Sequence, residues 1–141
     1  MIPKLRTTIF VGLAALSVTL LAACSTANAP VTVGLKTFGL TLSTTTVKAG
    51  DVTFNATNNA PDIQHEMILI KSDVPADQLK IATDGRIDEE AVEKVDEVSE
   101  LDPGKSGTLT VKLAAGHYVL FCNIVGHYAQ GMRADFTVTP N

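Results

Sequence analysis

The chain has 141 residues, of which 45% are hydrophobic and 18% are charged, a balance that is typical of one globular domain and excludes a disordered polymer. Its 11 basic and 15 acidic side chains give a formal net charge of −4, which argues against a protein that binds nucleic acid by neutralising phosphates. With only two cysteines, Cys24 and Cys122, a disulfide-rich scaffold is also excluded.

Residues 1–23 have the pattern of a secretion signal. Two basic residues, Lys4 and Arg6, precede an apolar run over residues 9–23. This run has the length of the apolar region of a signal peptide and is short for a membrane span. We therefore predict that residues 1–23 direct export and form no part of the folded domain.

The apolar run ends in Leu-Ala-Ala-Cys, with the cysteine at position 24, and this sequence resembles the lipobox of bacterial lipoproteins. The resemblance implies cleavage before Cys24 and acylation of that residue, which gives a stable membrane anchor. Two alternatives are an uncleaved anchor helix and cleavage after Ala29, which would place Pro30 at the first mature position. We predict a protein outside the cytoplasm that residues 24–30 tether to a bacterial membrane through lipid on Cys24.

Residues 31–141 alternate apolar and polar side chains over short runs, which is the pattern of half-buried β-strands. Turn-forming residues separate the runs. The predicted strands are Val31–Leu35, Phe38–Leu42, Val52–Ala56, His65–Ile70, Gly107–Leu113, His117–Cys122 and Arg133–Thr139. Seven short strands at this spacing predict one all-β domain, an antiparallel β-sandwich.

An acidic insert, residues 73–103, interrupts the strand pattern. Four apolar residues recur within it at helical spacing: Ile87, Ala91, Val95 and Val98. Asp88 is suited to cap the N-terminus of a helix, so we predict a short helix over residues 88–98. Its carboxylates would form one solvated face; the alternative is a docking surface for a basic partner.

The residues with metal-binding chemistry follow the predicted strand His117–Cys122. Cys122, His127 and Met132 are spaced five residues apart, so one short loop can bring a thiolate, an imidazole and a thioether to one point. A second imidazole is expected from His65, which follows an Asn-rich loop, because two loops at the same end of a sandwich can meet. Two His and one Cys with a weak axial Met are the ligands of electron-transfer copper sites.

Other readings of these side chains are less favourable. His117 lies five residues before Cys122 on the same strand and hence on the opposite face, so we predict an exposed residue there, and Met67 is predicted to belong to the core.

Cys122 and His127 could form a nucleophile–base pair, but no third orienting group is evident. Three histidines in the whole chain exclude a second, catalytic copper site in this subunit, and Met is a poor zinc ligand. We expect a metal-binding protein and not an enzyme.

The sequence Gly-x-Tyr-x-Leu-x-Cys followed by x₄-His-x₄-Met resembles the cupredoxins, the type 1 copper proteins, and in particular small bacterial members that are sulfocyanin-like or plastocyanin-like. The resemblance implies a Greek-key β-sandwich and one copper ion, Cu(I) or Cu(II), held by His65, Cys122, His127 and Met132. It also implies one-electron transfer through the edge of the loop histidine. The chain departs from the family in its long acidic insert and in Glu66, where many members have a small or amide residue.

We therefore expect a monomeric one-electron carrier with a transient redox partner protein that the sequence does not identify. The alternative is a copper chaperone or copper-tolerance protein, which would need an open surface rich in Met or His. The chain has only three methionines, Met1, Met67 and Met132, and this favours the carrier. We also expect the ring edge of His127 to reach solvent through an apolar patch. The residues expected around it are Ile124, Val125 and Ala129.

Overall fold

The computed structural model describes residues 27–141, so the predicted signal sequence and the predicted lipidation site, Cys24, lie outside the described residues. Nine strands and one short 3₁₀ helix form this part of the chain. The elements are β1 Val31–Lys36, β2 Gly39–Leu42, β3 Thr46–Lys48, β4 Gly50–Asn58, β5 His65–Lys71, the 3₁₀ helix Glu89–Ala91, β6 Glu93–Leu101, β7 Ser106–Leu113, β8 Gly116–Phe121 and β9 Arg133–Thr139. Between residues 27 and 141, no helix has the length and apolar character needed to cross a membrane.

The strands form two sheets that pack face to face. One has four strands in the order β2-β1-β4-β7, and the other has five in the order β3-β9-β8-β5-β6. The predicted all-β sandwich is confirmed, but it is not purely antiparallel, because β1 pairs with β4 and β3 pairs with β9 in parallel. The chain passes through other strands between the members of each of these pairs, which supplies the crossover that parallel pairing requires.

The main core lies between the two sheets and is built from the inward-facing apolar side chains of both. Phe54 of β4 and Phe136 of β9 meet across it, with ring centroids 5.2 Å apart in an edge-to-face arrangement that adds to the stabilisation from buried area. Met67 is fully buried in this core, as predicted.

A second apolar cluster lies on the outer face of the five-stranded sheet. Its strand residues come from β5 and β8, and the insert covers them with Ala76 and Ile87. Residues His65–Ile70 are consequently all buried, because β5 has the main core on one face and the insert on the other. The insert therefore belongs to the folded domain and closes over the strand that begins at His65.

The predicted helix over residues 88–98 is wrong. Asp88 does cap a helix, since its side chain accepts a hydrogen bond from the Glu90 N–H at 3.1 Å, but this is a 3₁₀ helix of three residues. The chain then enters β6, which pairs with β5 along the edge of the sheet. Pairing with that edge satisfies the backbone hydrogen bonds that the helix would have made.

Two bulges in β6 explain the helix-like spacing of its apolar residues. The register with β5 shifts between His65 and Met67 and again between Leu69 and Ile70, and each shift places one extra residue in β6. A bulge changes the side-chain period locally from two to three. Val95, Val98 and Leu101 can therefore all pack against the main core, although they are three residues apart.

The first described residues are fixed at the end of the sandwich where β4 begins, which we call the tether end. The Asn28 side chain donates hydrogen bonds to the carbonyls of Lys48 and Asp51 at 2.9 and 3.2 Å and accepts one from the Lys48 N–H at 3.1 Å. From there β4 runs for nine residues, or about 26 Å, to the opposite end. His65 lies at that opposite end, which we call the site end.

Candidate metal centre

The four predicted ligand residues lie at the site end of the five-stranded sheet. His65 is the first residue of β5, Cys122 directly follows β8, and Met132 directly precedes β9. Because β8 is antiparallel to both β5 and β9, the end of β8 lies beside the starts of its two neighbours. His127 is in the loop between Cys122 and Met132, so the topology brings the two predicted loops together.

Three donor atoms converge on one point. The Nδ1 atoms of His65 and His127 are 3.2 Å apart, and the Cys122 Sγ lies 3.9 and 3.4 Å from them, respectively. Atoms at these separations lie on a circle with a radius of about 2.0 Å, which is close to the length of a metal–imidazole bond, about 2.0–2.1 Å, and slightly shorter than a metal–thiolate bond, about 2.3 Å. The triangle therefore fits one metal ion bound by all three residues.

Backbone hydrogen bonds hold the ligand loop, residues 122–132, in a closed conformation. The Cys122 N–H donates to the Met132 carbonyl at 3.0 Å, and the Met132 N–H donates to the His127 carbonyl at 3.1 Å. Gly126 and Gly131 have φ values of +79° and +113°, which glycine adopts without the steric cost that other residues meet. These bonds and turns close the loop without requiring a metal.

Asn58 fixes the loop that leads to His65. This fully buried side chain donates to the carbonyls of Ile63 and Leu101 at 2.8 Å each and accepts from the Ala60 N–H at 2.9 Å. Asn58 is the last residue of β4, and the sequence pattern predicted no role for it. The signal that could have indicated this role is the asparagine itself, because its side-chain amide can bond several backbone groups of a loop when it is buried.

Burial also sets the protonation states of the ligand residues. Removal from water raises the pKa of the Cys122 thiol to about 11, and it is the main cause that lowers the pKa values of His65 and His127. At neutral pH the metal-free protein therefore holds a protonated thiol and two neutral imidazoles. Neutral imidazole is the form that binds a metal.

Glu66 is the residue at which the chain departs from many cupredoxins. Its buried carboxylate accepts a hydrogen bond from the Asn123 N–H at 2.9 Å, so it joins the residue after His65 to the residue after Cys122. Burial is the main cause that raises the pKa of Glu66. Glu66 thus links the two ligand-bearing segments.

His127 is the ligand residue nearest to solvent. His65, Cys122 and Met132 are fully buried, whereas 9% of His127 is exposed. Of the residues expected around it, Val125 is 61% exposed and Ala129 is exposed, but Ile124 is half-buried and packs against the main core.

Phe38, which no sequence motif marked as a site residue, flanks His127. The Phe38 ring is 43% exposed and packs edge to face with the imidazole, with centroids 5.9 Å apart. Phe38 lies in the two-residue turn between β1 and β2 with φ at +59°, a conformation that disfavours residues other than glycine and asparagine. Phe38 therefore has a strained backbone conformation beside a ligand residue, and such strain clusters at functional sites.

His117 is not part of the centre, and the prediction that it is exposed is wrong. It lies near the tether end of β8, where its Nδ1 contacts the Ser72 carbonyl and its Nε2 lies 2.8 Å from an oxygen of Asp135. Only 29% of its side chain is exposed. The period-two pattern placed it on the face opposite Cys122, but the insert covers part of that face.

The sandwich and the His-Cys-His donor set define the class of the protein as a cupredoxin. Cupredoxins bind one copper ion, and His65, Cys122 and His127 are positioned to form its ligand site. The family model described as the sulfocyanin (SoxE) domain matches residues 12–141. The chain therefore belongs to the sulfocyanin family.

Solved structures with the same fold include auracyanin from the photosynthetic bacterium Roseiflexus castenholzii, with 23% identity over 81% of this chain and 99% of that one and a TM-score of 0.64. Auracyanin A from Chloroflexus aurantiacus, a "blue" copper protein, has 22% identity over 79% of this chain and 100% of its own, with a TM-score of 0.54. Rusticyanin from Thiobacillus ferrooxidans has 22% identity over 80% of this chain and 79% of its own, with a TM-score of 0.53. No curated protein matches the sequence.

Metal binding should release about one proton per site at neutral pH. The Cys122 thiol is protonated in the metal-free protein because burial raises its pKa to about 11, and it must ionise to bind a metal, whereas the neutral imidazoles release none. Titration calorimetry with Zn²⁺, a redox-inert substitute, in buffers of different ionisation enthalpy measures this number. The matched Cys122→Ser variant should release none. Equal release from both proteins would contradict the thiolate assignment.

Proposed function

We propose that this protein is a mononuclear type 1 copper protein that carries single electrons outside the cytoplasm. The observation that carries the proposal is the buried triangle of His65, Cys122 and His127 donor atoms, whose circumscribed circle has a radius of about 2.0 Å, close to metal–ligand bond lengths. We further propose Met132 as the weak axial ligand. It is fully buried, and its carbonyl accepts the hydrogen bond from the Cys122 N–H.

The rigidity of the site favours electron transfer. A bound copper ion supplies a one-electron couple, and a carrier works best when its ligands need to move little between the two oxidation states. The hydrogen bonds of Cys122 and Met132 close the ligand loop without a metal, and Asn58 holds the approach to His65. Burial of the Cys122 sulfur also protects it from solvent oxidants.

The same burial argues against the alternatives. A chaperone must pass its metal to a partner, but Met67 and Met132 are both fully buried and His117 is bonded to Asp135, so the described residues offer no Met- or His-rich surface. An enzyme using Cys122 as a nucleophile needs a reactive thiolate. Burial instead raises the pKa of Cys122 to about 11.

The exposed edge of His127 is the proposed exit for the electron. Phe38 and Val125 flank it, and they are two of the four large apolar residues that are exposed in residues 27–141. An apolar patch around a redox site suits a partner that docks without a strong ionic bond. We propose a transient complex with a redox protein, with an interface below about 1,200 Å².

Membrane attachment through Cys24 is part of the proposal. Cys24 lies four positions before Asn28, which is hydrogen-bonded at the tether end, and a chain of this length spans at most about 14 Å. A lipid on Cys24 would therefore hold the tether end close to the bilayer. The site end, about 26 Å farther along β4, would face away from the membrane towards a partner.

The oxidised, copper-loaded protein should absorb strongly in the visible region through charge transfer from the Cys122 thiolate, and Cys122→Ser should abolish this band. Met132→Gln is the matched comparison. It should keep copper and colour but lower the reduction potential, because a harder oxygen donor favours Cu(II). Visible spectra and redox titration measure both effects. A colourless Cu(II) protein in which Cys122 still reacts with a thiol reagent would contradict the proposed site.

Val125→Asp should lower the rate of electron self-exchange by at least about tenfold and leave the visible spectrum unchanged. The reason is that like charges brought together in the encounter complex repel each other. Val74→Asp is the matched control, because Val74 is also exposed, at 43%, but lies just beyond the end of β5, near the tether end. NMR line broadening of mixed oxidised and reduced protein gives the rate. An equal effect of both substitutions would place the exit away from His127.

Cys24→Ala should abolish incorporation of labelled palmitate and release the protein from membranes in the producing bacterium. Copper binding should persist, since every proposed ligand lies in residues 31–141. The Cys122→Ser protein is the control, because it keeps the lipobox and should still be labelled. Absence of label in the wild-type protein would overturn the lipid anchor without affecting the copper site.

A further inference from the structure

A buried polar contact joins the acidic insert to the ligand loop. Asn123, which directly follows Cys122, is 6% exposed. Its side chain accepts the Ile87 N–H at 2.7 Å and donates to the Ile87 carbonyl at 2.9 Å. It also donates to a carboxylate oxygen of Glu89 at 2.9 Å. One side chain therefore satisfies both backbone groups of a residue in the insert, as a neighbouring strand would.

Asn123 is also tied to the other ligand-bearing segment. Its backbone N–H donates to the buried carboxylate of Glu66, the residue that follows His65, at 2.9 Å. The residues next to Cys122 and His65 therefore meet each other and the insert in one polar network. Because these groups are buried, a lost partner would leave an unsatisfied polar atom and cost free energy.

Two further contacts connect the same parts of the chain. A Cβ atom on Gly85 would lie 3.1 Å from the Gly126 Cα, so the turn at Gly85, whose φ is +78°, packs directly on the ligand loop. The hydroxyl of Tyr128 donates to the Ala76 carbonyl. The insert thus touches the loop at Asn123, Gly126 and Tyr128.

We propose that residues 76–89 form a strap that fixes the ligand loop, and that Asn123 is the positioning residue through which the strap acts on the metal site. This inference rests on the proposed metal site for its effect on binding, but the effect on the loop itself concerns the metal-free protein. Groups that orient metal ligands commonly change metal affinity 10- to 100-fold when they are removed. The strap gives the insert a role besides its charge.

The first test uses the metal-free protein. Asn123→Ala should increase hydrogen exchange at the His127 and Met132 amides by at least about tenfold relative to amides in β4, because the loop opens locally without the strap. Val52→Ala is the control. It truncates a fully buried residue of β4, so it should lower global stability without a selective effect on the loop. Equal loop exchange in Asn123→Ala and Val52→Ala would overturn the proposal.

The second test measures metal binding. Asn123→Ala should weaken Zn²⁺ binding in a chelator competition by about 10- to 100-fold and shift the visible bands of the copper protein, neither of which Val52→Ala should do. If Asn123→Ala does not fold, Gly85→Ala provides a second route, since its added Cβ would push the strap from Gly126. Unchanged affinity and spectrum in a folded variant would overturn the proposal. If wild-type protein bound no metal, the proposed function would fail, while the exchange test would still decide on the strap.

Discussion

The hydrogen bond from the Cys122 N–H to the Met132 carbonyl, at 3.0 Å, is the contact on which the rest of the site depends. It joins the end of β8 to the start of β9, so that the ligand loop begins and ends at neighbouring positions of one hairpin. Inside that loop, the Nδ1 of His127 lies 3.4 Å from the Cys122 sulfur. The pairing of β8 with β5 then brings His65 to the remaining corner of the triangle.

This arrangement is costly in the metal-free protein. A thiol and two imidazoles are removed from water, and the Nε2 of His65 is the one buried side-chain nitrogen or oxygen within residues 27–141 that has no hydrogen-bond partner. Burying polar groups without full compensation opposes folding. A metal ion that binds the folded state but not the unfolded chain offsets this cost, so metal binding and folding stability are coupled. Burial of the donor atoms therefore lowers the stability of the metal-free fold. A bound ion restores that stability.

Sequence reasoning succeeded where one local signal was sufficient. The spacing of Cys122, His127 and Met132 identified a loop whose ends are joined by a hairpin, and this is a short-range property. It failed in the insert, because Val95 and Val98 acquire their common face from two bulges that depend on pairing with β5. Tertiary pairing with an open sheet edge outweighed helix propensity. The side-chain partners of Asn123 were also inaccessible, since the insert supplies them by folding across the sheet.

The position of the insert relates the acidic charge to the site. Its buried residues Ala76 and Ile87 pack onto β5 and β8, whereas most of its carboxylates face solvent. Lys94 neutralises part of this charge through Glu89 and Glu97, at 2.7 and 2.6 Å, but pairs of this exposure contribute little to stability. Glu100 and Asp102 are exposed on either side of Leu101, the residue of β6 that pairs with His65. The register that pairs His65 with Leu101 therefore also places two exposed carboxylates on either side of Leu101.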